Sequence, residues 1–176
     1  KGLLENYPEV TGVLVGEGEE SFYELCKFYD GKLQSLADVK GIAYREDQEI
    51  IVKSFELVKD LSSLAFAYED FQDFEHKIIY YESSRGCPFS CSYCLSSIDK
   101  SVRFRNLELV KKELQTFIDE KVPQVKFVDR TFNCKVSHAM EIWNYIHEHD
   151  NGVTNFHFEV AADLITEEEL ELFAKM

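Results

Sequence analysis

Three cysteines lie close together on the chain, Cys87, Cys91 and Cys94, in the run SRGCPFSCSYCL. Thiolate sulfur is a common ligand of zinc and of the irons in iron–sulfur clusters. Three thiolates on one loop can hold three irons of a cubane cluster and leave the fourth iron open to another ligand. Clusters that only transfer electrons normally take four cysteines. The triplet is therefore compatible with a cluster whose open iron binds a small molecule.

Spacing alone leaves two other uses of these thiols open, a zinc site and free cysteines. The chain has five cysteines, an odd number, which argues against a complete set of disulfides. Zinc sites usually add a second cysteine pair or histidines to the first pair. Here the nearest histidines are His76 and His138, which lie far from the triplet in sequence.

The composition indicates a globular chain with a core and excludes some classes of partner. The 176 residues carry a formal net charge of −14 and include 14 Phe and 9 Tyr. This acidic balance argues against a broad nucleic-acid surface, which needs clustered Lys and Arg. No apolar run approaches the roughly 18 residues of a membrane span, and unpaired cysteines suit a reducing compartment. We therefore expect a cytoplasmic protein.

The sequence around and after the cysteines is typical of three β-α units in series. The predicted strands are 78–84, 124–129 and 155–161, and the predicted helices begin at an Asn106 cap, at residue 136 and at a Thr166–Glu169 capping box. Such units form a parallel sheet with right-handed crossovers. Residues 59–76 are acidic and aromatic, which predicts a linker packed on this domain through its aromatic rings.

Parallel strands bring the residues that follow them to one edge of the sheet, where active sites form. The cysteine loop follows the first predicted strand and Asp129 ends the second, so both belong at this edge. Glu159 lies on the third strand, on the same face as His157. We expect Glu159 either to contact a cofactor or substrate, or to pair with Lys126 or Arg130.

For several other residues we expect a structural environment only. Gly86 precedes the first cysteine and lacks a Cβ, which allows its backbone to approach a cluster closely. Cys26 lies on the apolar face of an early helix that also carries Phe22 and Tyr29, and is expected in the core. Ser83 and Ser84 are expected in local hydrogen bonds. The histidines near the second helix of the β-α series, His138, His147 and His149, are expected in solvent.

The cysteine segment resembles the radical S-adenosylmethionine (SAM) superfamily, whose signature is C-x3-C-x-aromatic-C, here with Tyr93 as the aromatic residue. The resemblance implies that Cys87, Cys91 and Cys94 ligate a [4Fe–4S] cluster and that SAM fills the open iron. One electron then cleaves SAM to methionine and a 5'-deoxyadenosyl radical. The ring of Tyr93 is implied to lie near the adenine.

The same resemblance implies the fold class and the cofactor-binding positions. The expected architecture is α/β, the first half of a radical SAM (β/α)6 partial TIM barrel. The candidate cofactor-binding residues are Gly86, Tyr93, Asp129 and Glu159. A reductant such as ferredoxin or flavodoxin and a small-molecule substrate are the implied partners.

The part before the barrel resembles cobalamin-binding radical SAM proteins, which include methyltransferases and oxygen-independent magnesium-protoporphyrin monomethyl ester cyclases. The run from Val13 to Leu25 resembles the end of a cobalamin-binding domain. The implied domains are 1–35 for that end, 36–76 for a β-hairpin connector and 77–176 for the half barrel. The Asp-x-His-x-x-Gly run that supplies the lower cobalt ligand is absent, so cobalamin is implied for a parent protein, outside this chain.

We expect an enzyme fragment, because the sequence begins without Met and stops within a predicted helix. The resemblance implies that the fragment is inactive by itself, because the later barrel strands that complete the SAM pocket are absent. Two alternatives remain. One is a methylthiotransferase-type radical SAM protein acting on RNA. The other is a non-enzymatic α/β binding module that carries zinc or free thiols.

Overall fold

The structure is a computed structural model that describes residues 1–74, 77–97 and 100–175. The chain divides into two compact units, Lys1–Lys59 and Asp60–Met176. None of the helices within the described residues combines the length and apolar character needed to cross a bilayer.

The first unit is built on a three-stranded antiparallel sheet. Its elements are helix α1 (Gly2–Asn6), strand β1 (Gly12–Leu14), helix α2 (Gly18–Tyr29), strand β2 (Ile42–Glu46) and strand β3 (Glu49–Val52). Strand β2 lies in the centre and pairs with both neighbours. The β-hairpin expected within residues 36–76 is confirmed, because Glu46 pairs with Glu49 across a tight turn in which Asp47 has a positive φ of 53°.

Strand β1 pairs with β2 through Val13 and Ala43, so residues on both sides of the boundary predicted at residue 35 lie in one compact unit. The boundary between the end of a cobalamin-binding domain and a connector stays a prediction. One expectation about this unit differs from the structure. Cys26 is exposed, and the expectation of a core position was wrong. Helix α2 turns Leu25 and Phe28 inward instead, since apolar residues surround much of this helix and leave its phase ambiguous.

The second unit is an open parallel sheet with helices on one face. Its larger elements are strands β4 (Ile79–Tyr81), β7 (Gln124–Phe127) and β8 (Asn155–His157), and helices α3 (Leu107–Asp119), α4 (Val136–Glu148) and α5 (Glu167–Phe173). A short antiparallel ribbon joins β5 (Ser84–Arg85) to β6 (Arg103–Phe104). The sheet order is β4-β7-β8 with parallel pairing, which confirms three β-α units in series.

Local signals in the sequence set the helix boundaries. The Asn106 side chain accepts hydrogen bonds from the amides of Glu108 and Leu109, as expected of an N-cap. Thr166 and Glu169 form the predicted capping box. The strands are shorter than predicted: the first splits into β4 and β5, and the third ends at His157.

The core lies between the sheet and its helices. It contains the buried residues Ile79, Tyr81, Val110, Leu114, Phe117, Val125, Phe127, Phe132, Ala139, Ile142 and Trp143, among others. The predicted packing of the preceding aromatic segment is confirmed, because Phe66, Tyr68, Phe71 and Phe74 cover this core. Tyr68 also bonds to the backbone at the outer edge of β4. Its hydroxyl accepts a hydrogen bond from the amide of Tyr80 and donates one to the carbonyl of Tyr80.

Candidate active site

The cysteine loop leaves the sheet at the carboxyl end of β4 and returns through the ribbon of β5 and β6. Ser84 pairs with Phe104 and Arg85 with Arg103, so the two ends of the loop are held side by side. The sequence thus places its three thiols at the edge of the parallel sheet where this fold class forms its sites.

Gly86 sits at the narrowest point of this loop. Its φ is +108°, and a Cβ built there would lie 2.1 Å from the carbonyl oxygen of Ser101. Any residue other than glycine would collide with the returning chain. The close approach expected at Gly86 is therefore observed, but toward Ser101; an approach to a cluster stays a prediction.

The three cysteines differ in environment. Cys87 is buried, with its Sγ 3.5 Å from Oγ1 of Thr131, whereas Cys91 is exposed and Cys94 is half-buried. The amide of Cys94 donates to the carbonyl of Cys91 over 3.1 Å, which makes a turn between these two ligands. Tyr93, between them, is 91% exposed.

The donor set fits a three-cysteine cluster in its chemistry. Among the described residues, however, no three Cys, His, Asp or Glu side chains are already gathered as a metal site. Cys87 is held against Thr131, and Cys91 and Cys94 lie on one turn. This arrangement suits a site that is completed when the metal binds, since metal binding and local folding are coupled. Cluster ligation by the three cysteines and adenine contact by Tyr93 stay predictions.

Asp129 lies beneath the start of the loop and is only 1% exposed. Its Oδ1 accepts the hydroxyls of Ser83 and Ser84, each over 2.6 Å, and its Oδ2 accepts the amide of Ser83 over 3.0 Å. The expectation of local bonding for the two serines was wrong, because their partner lies at the end of the next parallel strand. Burial raises the pKa of Asp129, and the bonds from the serines oppose that rise.

His138 joins the same group, and the expectation that it is solvated was wrong. It is 3% exposed, and its Nε2 lies 3.2 Å from Oγ of Ser83. Burial lowers the pKa of His138 to about 4. Its position four residues before the buried Ile142 on α4 was the available signal, since residues at this spacing share a helix face.

A second buried group, which the sequence did not indicate, supports the strand that leads to the loop. Tyr81 donates to Oε2 of Glu113 over 2.6 Å, and Arg105 donates to Oε1 over 2.8 Å. The amide of Arg105 also donates to the carbonyl of Ser83 over 2.9 Å. Burial, together with the bond to Glu113, raises the pKa of Tyr81 far above its ordinary value.

The face of the sheet away from the helices carries polar side chains. Lys126 and His157 are neighbours in the register of β7 and β8, and Glu159 follows on the same face. The Lys126 ammonium lies 3.5 Å from Oε1 of Glu159, which is one of the two ion pairs expected for this carboxylate. A direct role of Asp129 or Glu159 in cofactor binding stays a prediction.

Comparison with known proteins identifies the domain. The family model described as the radical SAM superfamily matches residues 81–176, which contain the cysteine loop and all three strands except the start of β4. A putative methylthiotransferase of Methanocaldococcus jannaschii is 30% identical over 128 residues, 66% of this chain and 26% of the relative. The anaerobic magnesium-protoporphyrin IX monomethyl ester cyclase of Cereibacter sphaeroides is 28% identical over 132 residues, 67% of this chain and 21% of the relative.

Two solved structures share the fold over nearly the whole chain. The cobalamin-dependent SAM radical enzyme OxsB, with aqua-cobalamin and SAM bound, gives a TM-score of 0.71 at 23% identity, over 99% of this chain and 27% of that one. The radical SAM methyltransferase TsrM of Kitasatospora setae, with cobalamin and a [4Fe–4S] cluster bound, gives a TM-score of 0.73 at 17% identity, over 98% of this chain and 38% of that one.

These matches confirm the expected α/β fold, with a sheet that is not closed. The chain spans only about a quarter of the length of the curated relatives it matches. Because the family model covers more than half of the chain, the protein belongs to the radical SAM superfamily.

Proposed function

We propose that this chain is part of a radical SAM enzyme in which Cys87, Cys91 and Cys94 hold a [4Fe–4S] cluster. A cluster of this kind, when bound, supplies one electron that splits SAM into methionine and a 5'-deoxyadenosyl radical. The observation that carries the proposal is the intact cysteine triplet at the carboxyl end of β4, within the segment that matches the superfamily.

The chain's own residues have distinct tasks in this proposal. Cys87 is the anchored ligand, because burial and the contact with Thr131 restrict its side chain. Cys91 and Cys94 lie on the turn that follows and complete the ligand set. Glu159, which pairs with Lys126 on the polar face of the sheet, is the proposed contact to SAM or to a polar substrate.

We further propose that the reaction uses cobalamin and is a methyl transfer or an anaerobic cyclase-type conversion of a small molecule. Likeness to two cobalamin-dependent enzymes over nearly the whole chain, including residues 1–59, supports this. The chain itself has no Asp-x-His-x-x-Gly run, so the lower cobalt ligand would come from elsewhere. A cytoplasmic ferredoxin or flavodoxin would supply the electron.

Methylthiotransferase chemistry is the second candidate, because one relative at 30% identity is named a putative methylthiotransferase. The net charge of −14 weighs against an RNA-binding surface on this chain. Products formed from tRNA and from small methyl acceptors would separate the two candidates.

Anaerobic reconstitution with iron and sulfide tests the cluster proposal. The protein should take up about four irons per chain and develop a broad visible absorption band. Cys91→Ala should abolish the band, whereas Cys26→Ala is the matched control, since Cys26 is also exposed but lies in the first unit. Binding of about one zinc per chain without iron uptake would contradict the proposal and favour a zinc module.

We also propose that the 176-residue chain cannot turn over SAM, because the three-stranded sheet leaves the site open on one side. Reconstituted protein with dithionite and SAM should release no 5'-deoxyadenosine. Release of 5'-deoxyadenosine by this chain at a rate that Cys91→Ala abolishes would refute the proposed inactivity.

A further inference from the structure

Four side chains form one buried group under the cysteine loop: Ser83, Ser84, Asp129 and His138. Ser83 lies between β4 and β5, Ser84 begins β5, Asp129 follows β7, and His138 lies in the first turn of α4. The bonds connect positions 45, 46 and 55 residues apart in sequence. The group therefore ties the loop to the rest of the β-α series.

The direction of each hydrogen bond follows from the number of available protons. The Ser83 hydroxyl has one proton and donates it to Oδ1 of Asp129 over 2.6 Å. It can then only accept from His138, so Nε2 of His138 carries a proton and donates over 3.2 Å. His138 thus orients the Ser83 hydroxyl toward the carboxylate. The Ser84 hydroxyl meets the same carboxylate oxygen.

This group acts at the backbone immediately before the first cysteine. The amide of Ser83 is held by Oδ2 of Asp129, and its carbonyl is held by the amide of Arg105. Both backbone groups of one residue are therefore fixed close to Gly86 and Cys87. Thr131, two residues beyond Asp129, touches the Cys87 sulfur itself.

We propose that His138 is a positioning residue for the cysteine loop, acting through Ser83 and Asp129 to hold Cys87 where it can serve as the first cluster ligand. The inference rests on the proposed function, because it assigns this buried group of four side chains a task in cluster binding. His138 touches neither cluster nor substrate in this account. A histidine that merely fills the core would need only its volume, whereas this role needs its Nε2–H donor.

Two substitutions separate the effect of the side-chain volume of His138 from the effect of its hydrogen-bond donor. His138→Leu removes the donor and keeps an apolar side chain in the buried site, whereas His138→Gln keeps an N–H donor at a similar reach. Ile142→Val is the matched control, because Ile142 is buried on the same helix face and belongs to the apolar core.

The first readout is hydrogen exchange at the Ser83 amide in metal-free protein, which does not depend on a cluster. We expect His138→Leu to accelerate this exchange about tenfold, the change expected from losing about one hydrogen bond, and His138→Gln to restore it. The second readout is iron retention in reconstituted protein under a chelator. Iron should leave His138→Leu about tenfold faster, with the spectrum of the remaining cluster altered.

The outcomes distinguish this inference from the proposed function. If the unsubstituted protein takes up no iron, the proposed function fails and the positioning of Cys87 for a cluster fails with it, while the exchange data still report the local bond network. If that protein takes up iron and His138→Leu matches it in both exchange and iron retention, the inference is overturned. It is also overturned if Ile142→Val accelerates both processes as much as His138→Leu, or if His138→Gln fails to restore them.

Discussion

Substitution of Gly86 by alanine should separate the two chain segments at the base of the cysteine loop. The backbone there has a φ of +108°, a conformation that side chains with a Cβ rarely adopt. The added methyl group would also lie 2.1 Å from the Ser101 carbonyl oxygen and 2.9 Å from its carbonyl carbon. Both obstacles are backbone atoms, so rotation of a side chain cannot relieve them.

The expected cost has two parts. Holding a residue other than glycine in this backbone region costs about 1–3 kcal/mol, and forcing extra volume into a packed site costs about 1–3 kcal/mol more. Together they exceed the stability that a two-residue ribbon can supply. We therefore expect β5 and β6 to separate in Gly86→Ala rather than the whole unit to unfold.

Gly152→Ala provides the matched control in the same unit. Gly152 also has a positive φ, of +66°, but a Cβ there meets nothing within 4 Å. Its cost should be limited to the backbone, about 1–2 kcal/mol. Urea unfolding measures the stability of each variant, and hydrogen exchange at residues 84–86 measures whether the ribbon stays formed. Gly86→Ala should lose exchange protection in the ribbon and lose iron uptake, whereas Gly152→Ala should keep both. Equal behaviour of the two variants would refute the steric argument.

Two further predictions concern buried charge. Glu113→Gln should lower the free energy of unfolding by about 3–5 kcal/mol in urea titrations, because it leaves the Arg105 guanidinium buried without its carboxylate; a loss below about 1 kcal/mol would contradict this. The lowered pKa of His138, about 4, means that the unfolded chain binds a proton between pH 6.5 and 4 that the folded chain does not. The contribution of His138 to the free energy of unfolding should therefore fall by about 3 kcal/mol as the pH drops from 6.5 to 4. Asp129, whose pKa is raised, contributes the opposite slope, so the measurement is the difference between the protein and His138→Gln. An unchanged difference between pH 7 and 4 would show that His138 does not titrate as described.

The helices and the place of the cysteine loop could be predicted because their signals are local. The Asn106 cap and the Thr166–Glu169 box involve neighbours in sequence. The order of β-α units then places the loop at the carboxyl end of a parallel strand. A pattern of residue types at fixed spacing is enough for each of these conclusions.

The support beneath the loop could not be predicted because its partners are distant in sequence. Nothing in the run around Ser83 indicates that its partner is Asp129, and nothing near Arg105 indicates that its backbone returns to Ser83. For the same reason, the sequence did not indicate that β1 pairs with β2, a strand beyond the boundary predicted at residue 35. Burial of His138 was accessible from helix periodicity, but its role depends on the strand partners.

The measurement that tests the central claim most directly is Mössbauer spectroscopy of the protein reconstituted with isotopically enriched iron, recorded with and without SAM. Three cysteine-bound irons and one open iron predict that SAM shifts about one quarter of the iron absorption and leaves the rest unchanged. The shift should be absent in Cys91→Ala. A spectrum that SAM leaves unchanged, or a protein that takes up no iron, would contradict the claim.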